Sequence, residues 1–223
     1  EIYTRSIVGS SDVYKRQTST RVIKYDLLGF LYKERDGERK DLRPIQSAQH
    51  PHKQIHPKPG WVEHDPEEII ENIKKCYREV GGAFTMAVGI TNQRETIVAW
   101  DSETMKPLHN AIVWCDARTA EIVSRFSEKE KHMVFQKTGM PISTYFSATK
   151  MRWLLENSKD VQKAAARGTL RFGTIDSWIV TKLGARRDSN NQELPNVHVT
   201  DVTNASRYLL MNIETLELSL IHI

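Results

Sequence analysis

Arg94 and Glu95 stand side by side in the string Gly89-Ile90-Thr91-Asn92-Gln93-Arg94-Glu95-Thr96. A guanidinium is a planar fork of donors and a carboxylate only accepts, so such a pair can hold two hydroxyls of a small polyol at once. The same two residues could also form a solvated ion pair at a hairpin tip, which is worth little. Two aromatic residues downstream offer further contacts. Trp114 ends the apolar run Ala111-Ile112-Val113. Core packing is its default, but the ring could also cover the C–H face of a bound polyol. Tyr145 lies in the loop Gly139 to Ser147, and its sequence context suits packing and ligand contact equally. Thr18-Ser19-Thr20-Arg21 is a hydroxyl-rich turn running into an apolar stretch. That pattern is compatible with a phosphate-contacting hairpin and with any strand start. His50, His52 and His56 cluster in sequence without a Cys or acidic neighbour, so they read as exposed loop imidazoles and not as metal ligands.

The elements that must position these residues follow from periodicity. The runs 84–90 and 97–100 are short, Val- and Ile-rich, and read as buried strands on either side of the Arg94-Glu95 string. Before them, Asp65-Pro66-Glu67-Glu68 is a helix start, with Asp65 to cap, Pro66 at the first helical position and Glu68 placed for a capping box. Ile70, Ile73, Tyr77 and Val80 share a face of that helix, and Gly81-Gly82 stops it. Pro57 to His64 forms a rigid loop presenting Trp61. Asp36-Gly37 signals a two-residue hairpin turn, with an edge strand and loop following over 42–57. Helices are expected near 118–127, 129–138 and 148–157, the last with Met151, Leu154 and Leu155 as its apolar stripe. A strand over 171–175 precedes a helix capped by Asp176 or Ser177 and ended by Gly184. The stretch 185–196 is polar and loop-like, and His198 to Arg207 suits a tight turn feeding a helix.

The whole chain sets bounds. It has 223 residues, one large domain or two small ones, with 32 basic against 28 acidic residues. The basic residues are dispersed, so a nucleic-acid partner is not indicated. Two cysteines, Cys76 and Cys115, make neither a disulfide framework nor a metal pattern and fit a reducing compartment. No apolar run approaches the roughly 20 residues that span a bilayer. Both ends look foreign. Asp12 to Gln17 can be encoded by GATGTGTATAAGAGACAG, whose reverse complement translates as the final Leu218 to Ile223. One DNA element thus flanks the frame in inverted orientation, and it resembles the transposase end sequence of sequencing-library adapters. Residues 1–17 and 218–223 are therefore set aside as adapter-derived tails.

The ordered segments Pro57 to Pro66, Gly89 to Thr96, Asn110 to Trp114, Tyr145 to Ser147 and Asp201 to Arg207 resemble the N-terminal domain of the FGGY carbohydrate kinases over 18–217. The resemblance implies an α/β fold of the ribonuclease-H-like, actin/hexokinase type, with substrate in the cleft between two such domains. It implies transfer of phosphate from ATP, with Mg2+, to glycerol. Arg94 and Glu95 would hold the glycerol hydroxyls, Tyr145 would add a bond, and Trp114 would pack on the carbon skeleton. Thr18, Ser19 and Arg21 match the second half of the family's phosphate loop, whose first half is replaced by Tyr14 to Gln17. The family's catalytic aspartate and its ATP-binding second domain are expected beyond this chain, which alone would be inactive. The partners implied are glycerol and MgATP, without nucleic acid or membrane span. A cytoplasmic location and a full-length homo-oligomer are implied as well. Two alternatives remain open: a kinase for another small polyol or sugar, and a non-catalytic binding protein of actin-like fold.

Overall fold

The computed structural model describes residues 4–8, 18–26, 44–81, 85–184 and 197–218. The chain divides into two compact units, one of residues 1–53 and 67–92 and the other of 54–66 and 93–223. The Asp36-Gly37 turn and the polar stretch 185–196 lie outside the described residues.

The first unit is built on a sheet ordered β3-β2-β1-β5, from Thr4–Val8 (β1), Ser19–Asp26 (β2), Pro44–Pro51 (β3) and Thr85–Ile90 (β5). β2 runs antiparallel to both β1 and β3, while β5 runs parallel to β1. Thr4–Val8, set aside above on its coding sequence, thus supplies a strand between β2 and β5. Sheet pairing uses main-chain groups that every non-proline residue carries. The helix α1, Pro66–Glu79, begins at the predicted proline. Its buried stripe is Ile69, Ile70, Ile73 and Cys76, continued by Val80. Cys76 takes the inward place expected of Tyr77, which is half-buried. The cysteine sulfur lies 3.7 Å from the Thr20 carbonyl, and both cysteines are free thiols. Asn72 Nδ2 donates to the Pro51 carbonyl, and Lys24 Nζ donates to that of Gly81, each over a long sequence interval. Of the three histidines expected to be exposed in a loop, only His56 is so. His52 is buried, His50 meets Glu79 at 2.7 Å, and His56 meets the Trp61 carbonyl at 3.1 Å.

The second unit carries a sheet ordered β4-β7-β6-β8, from Glu63–His64, Ala111–Ile112, Ile97–Asp101 and Leu170–Thr174. All neighbours are antiparallel, with β6 and β8 paired from Ile97↔Thr174 to Asp101↔Leu170. Gly173 is required in β8, because an added Cβ would meet Ser177 Cβ at 2.5 Å and the Trp100 ring at 2.9 Å. β5 and β6 therefore belong to different sheets, and the Arg94-Glu95 string is no hairpin tip.

Helices α2 (Ala120–Ser124), α3 (Glu128–Thr138) and α4 (Ser147–Asn157) fall where periodicity placed them. Ser127 and Glu130 form a capping box at α3, and Gly139 closes it in the left-handed region at φ 70°. A further helix, α5 (Lys159–Arg167), was not expected. It buries only Val161 and Ala164, but Ser158 caps it and Gly168 ends it. Helix α6 (Ile175–Leu183) starts two to three residues earlier than predicted, with Thr174 at the N-cap and Gly184 at the C-cap. Asp176 instead sits in the first turn, where Thr174 Oγ1 and Thr200 Oγ1 both donate to its carboxylate. A negative charge there also suits the helix dipole. Asp201 caps α7 (Val202–Ala205) by accepting from the amides of Thr203 and Asn204, and a 3-10 turn, Ser206–Tyr208, follows. The core gathers Ile97, Ala99 and Ile112 from the sheet with Phe146, Met151 and Leu154 of the α4 region and Tyr208 to Leu210. Among the described residues no helix is long and apolar enough to cross a membrane.

Candidate functional site

Gln93 and Thr96 close a turn, Thr96 N donating to the Gln93 carbonyl at 3.3 Å and Thr96 Oγ1 to Gln93 Oε1 at 2.9 Å. Arg94 and Glu95 are its two central residues, and the turn sends them to different surroundings. Glu95 is only 4% exposed. Its partner is not Arg94 but Arg207, whose Nε donates to Glu95 Oε1 at 2.6 Å. Among the described residues Oε2 of Glu95 has no hydrogen-bond partner. Arg94 is exposed and its guanidinium meets no partner among the described residues. The solvated Arg94–Glu95 ion pair is therefore not formed.

The aromatic candidates do converge on this corner. Trp114 N donates to Thr96 Oγ1 at 3.2 Å, which ties its segment to the turn. The Trp114 and Tyr145 rings meet edge to face with centroids 5.3 Å apart. Tyr145 also meets Phe146 at 5.3 Å, and the Arg207 guanidinium lies 4.9 Å from the Phe146 centroid and 5.7 Å from that of Tyr145. Such contacts hold an arginine by the electrostatics of the ring face. Ser147 Oγ donates to the Glu95 carbonyl at 3.1 Å, joining the start of α4 to the same turn. Tyr145 is 37% exposed and Trp114 half-buried, so both rings offer surface to a ligand.

Shortly after Trp114 in the chain comes a buried charge network. The Arg118 guanidinium donates to Asp116 at 2.9 Å and to Glu63 at 2.7 Å, and Asp116 Oδ2 also accepts from Val62 N at 2.6 Å. Trp61 and Trp153 flank the same guanidinium, with centroids 3.9 and 4.7 Å away. Trp61, read from sequence as an aromatic offered by a rigid loop, is thus spent on holding Arg118.

Sequence reasoning missed two residues of this corner, Arg207 and Lys150. Arg207 was within the segment 201–207 but read as part of a turn feeding a helix. Nothing in its spacing points to Glu95. Lys150 carried a signal: it lies four residues before Leu154, so on a helix it shares that residue's inward face. It is fully buried and donates to the carbonyls of Thr144, Tyr145 and Phe146.

Thr18, Ser19 and Arg21 belong to the other unit. Thr18 is exposed, and its carbonyl accepts from His52 N at 2.9 Å. Ser19 is 8% exposed with Oγ accepting from Gln49 Nε2 at 2.7 Å, and Arg21 is half-buried. Hydroxyl and guanidinium donors are types that suit a phosphate oxygen. Accepting from Gln49 does not use the Ser19 hydroxyl's own donor, so Thr18, Ser19 and Arg21 are all of types that can donate to a phosphate oxygen. Among the described residues no group of three His, Cys, Asp or Glu stands close enough to hold a metal ion.

Comparison with known proteins places this corner in a family. The N-terminal domain of the FGGY family of carbohydrate kinases matches residues 39–220. The chain belongs to that family. It is 43% identical over 210 residues to a glycerol kinase of Paraburkholderia phytofirmans, covering 90% of this chain and 37% of that protein. It is also 43% identical over 224 residues to a glycerol kinase of Arabidopsis thaliana, covering 94% of this chain and 38% of that protein. Among solved structures it resembles Plasmodium falciparum glycerol kinase with ADP, at 35% identity and a TM-score of 0.76, covering 99% of this chain and 40% of that one. The ribonuclease-H-like, actin/hexokinase-type α/β fold expected from sequence is the fold of this neighbour. The chain thus spans well under half the length of the relatives it matches.

Proposed function

We propose that this chain is the acceptor-binding part of an ATP-dependent glycerol kinase, which phosphorylates glycerol to sn-glycerol 3-phosphate. The observation that supports this best is the Glu95 carboxylate, buried and held on one oxygen by Arg207 beside the Trp114–Tyr145 wall. Its second oxygen is left to accept from a hydroxyl. Arg94 donates to another hydroxyl of the same polyol, Tyr145 adds a hydrogen bond, and the Trp114 ring covers the carbon skeleton. The resemblance to proteins named glycerol kinase selects glycerol among small polyols.

Phosphoryl transfer asks a protein for positioning and charge stabilisation more than for covalent chemistry. In this reading, residues of the second unit fix the acceptor's orientation and shield its carbon face from water. Thr18, Ser19 and Arg21 would hold phosphate oxygens of the nucleotide. Mg2+ would come with that nucleotide, as a hard cation that binds through phosphates and keeps several waters. The ATP supplies the transferred phosphoryl group.

The test is Arg94→Ala. Because Arg94 is exposed and unpartnered, its loss should leave circular dichroism and melting unchanged. Glycerol affinity of this chain, and kcat/KM for glycerol in the full-length protein, should fall about ten- to a hundredfold, the cost of a lost bond to a charged donor. Glu95→Gln should cost less in binding, since the amide keeps an acceptor oxygen but loses the charge that strengthens the bond. Glycerol affinity within about twofold of the original, well short of that loss, would overturn the acceptor reading.

A further inference from the structure

A lysine with no exposed surface is rare, because taking an ammonium out of water is costly unless its donors are matched. Lys150 has 0% exposure. Its Nζ lies 2.6 Å from the Thr144 carbonyl, 2.7 Å from that of Tyr145 and 3.3 Å from that of Phe146. An ammonium has three donors and no acceptor, so three carbonyls use its full capacity. The Thr144 and Tyr145 carbonyls belong to the irregular segment that leads into α4, and that of Phe146 stands at the helix N-cap. The segment's other anchors are few. Tyr145 N donates to Ser143 Oγ at 3.3 Å, and Thr149 Oγ1 donates to the carbonyls of Ser143 and Phe146.

We propose that Lys150 is a positioning residue for the acceptor site: its ammonium fastens the main chain at Thr144–Phe146 and thereby sets the Tyr145 ring against Trp114. The reading rests on the acceptor role given to Tyr145 above. Fixing the main chain on both sides of the Tyr145 Cα leaves its ring little freedom beyond χ1 and χ2. Trp114, Phe146 and Arg207 then hold the ring within 5.3 to 5.7 Å of their own groups. Lys150 itself touches no substrate.

The groups facing the ammonium set its charge. Burial pulls Lys150 down to about 7, with Arg118 acting in the same direction. Asp116, Glu95 and Cys115 pull it up. Asp116, Cys115 and Arg118 come from the segment after β7, and Glu95 comes from the turn before β6, where Arg207 partly neutralises it. As pH rises through 7, the ammonium becomes an amine, losing its charge and one donor, and the tether loosens. Global stability moves the other way. An unfolded lysine stays protonated to about pH 10.4, so between the two values the unfolded chain binds more protons. This group therefore favours folding increasingly as pH rises from 7 towards 10.4. A lysine that served stability alone would show no loosening at the site over that range.

The experiment follows the Lys150 side-chain signal and the Tyr145 ring signal by NMR on this chain, with lysine and tyrosine labelled, across a pH titration. The expected result is one common midpoint for both, with tighter glycerol binding on the acid side. Lys150→Met should abolish the pH response of Tyr145 and weaken glycerol binding about tenfold, as lost preorganisation does. Should that variant fail to fold, the coincidence of midpoints in the unsubstituted chain still decides. A Tyr145 signal that ignores the Lys150 titration overturns the proposal. Coupled midpoints with no glycerol response leave Lys150 as the positioner of Tyr145 and count against the polyol reading instead.

Discussion

β5 and β6 flank the same turn and look alike as sequence, Thr85-Met86-Ala87-Val88-Gly89-Ile90 against Ile97-Val98-Ala99-Trp100-Asp101. Both are short, apolar and bounded by polar residues. Yet every residue of β6 is buried, while Ala87 to Gly89 of β5 are exposed, Val88 at 53%. The difference lies in sheet position. β6 is an inner strand between β7 and β8, whereas among the described residues β5 ends its sheet and pairs only with β1. The turn between them repeats the contrast at the scale of one residue, with Arg94 in solvent and Glu95 in the interior. A run of β-formers says that a strand exists, and its neighbours decide whether that strand can be wetted.

The sharpest way to test the β6 side is Trp100→Ala. Trp100 is 1% exposed and packs against Trp178 at 5.6 Å and His198 at 4.9 Å. Removing an indole from such a place leaves a cavity that neighbours fill poorly, and the loss should be roughly 3–5 kcal/mol. For a chain of this size each kcal/mol lowers the melting temperature by roughly 2–4 °C, so a drop of about 6–20 °C is expected by calorimetry. A drop under about 3 °C would mean that β6 is not the interior strand described.

The next largest effect should come from Arg207→Met, which leaves the Glu95 carboxylate in the interior without its cation. Breaking a buried pair by removing one partner costs about 3–5 kcal/mol, and the 24% exposure of the Arg207 side chain puts this case at or below the lower end. Adding Glu95→Gln to that variant should recover much of the loss, because a neutral amide no longer needs the cation. Chemical denaturation of the two variants reads this directly. An unchanged midpoint for Arg207→Met would show that water replaces the guanidinium and that Glu95 is no more protected than Arg94.

The places where sequence was legible share a physical cause. Helix α3 is bounded by local signals, Ser127 with Glu130 at its start and Gly139 at its end, and α1 begins at its proline for the same local reason. The strands 85–90 and 97–101 were legible as runs. The corner proposed to hold the acceptor was legible in part, since Trp114 and Tyr145 do meet and Glu95 does leave solvent. What failed depended on distant partners. The Glu95–Arg207 bond joins residues 112 apart in sequence, and no local pattern carries that information. Helix α5 escaped because its two buried side chains, Val161 and Ala164, are too few to make a stripe. The exposure of β5 escaped because an edge is a property of the sheet and not of the strand.

The smallest predicted effect is also the one that tests the comparison from its other side. Val88→Thr removes one methyl and adds a hydroxyl while keeping the β-branched shape that suits a strand. In a buried strand that hydroxyl would need a partner, and lacking one it would cost about 1–3 kcal/mol. At Val88, half open to water, the hydroxyl stays hydrated, and the change in stability should lie within about 0.5 kcal/mol. The control is Val98→Thr in β6, where the side chain has 0% exposure and the same substitution should carry the full cost of a buried, unpaired hydroxyl. Denaturant midpoints for the two variants, measured side by side, separate the strands without reference to any ligand. Equal losses at 88 and 98 would mean that β5 is covered in solution, and the edge position would no longer account for the difference between the two runs.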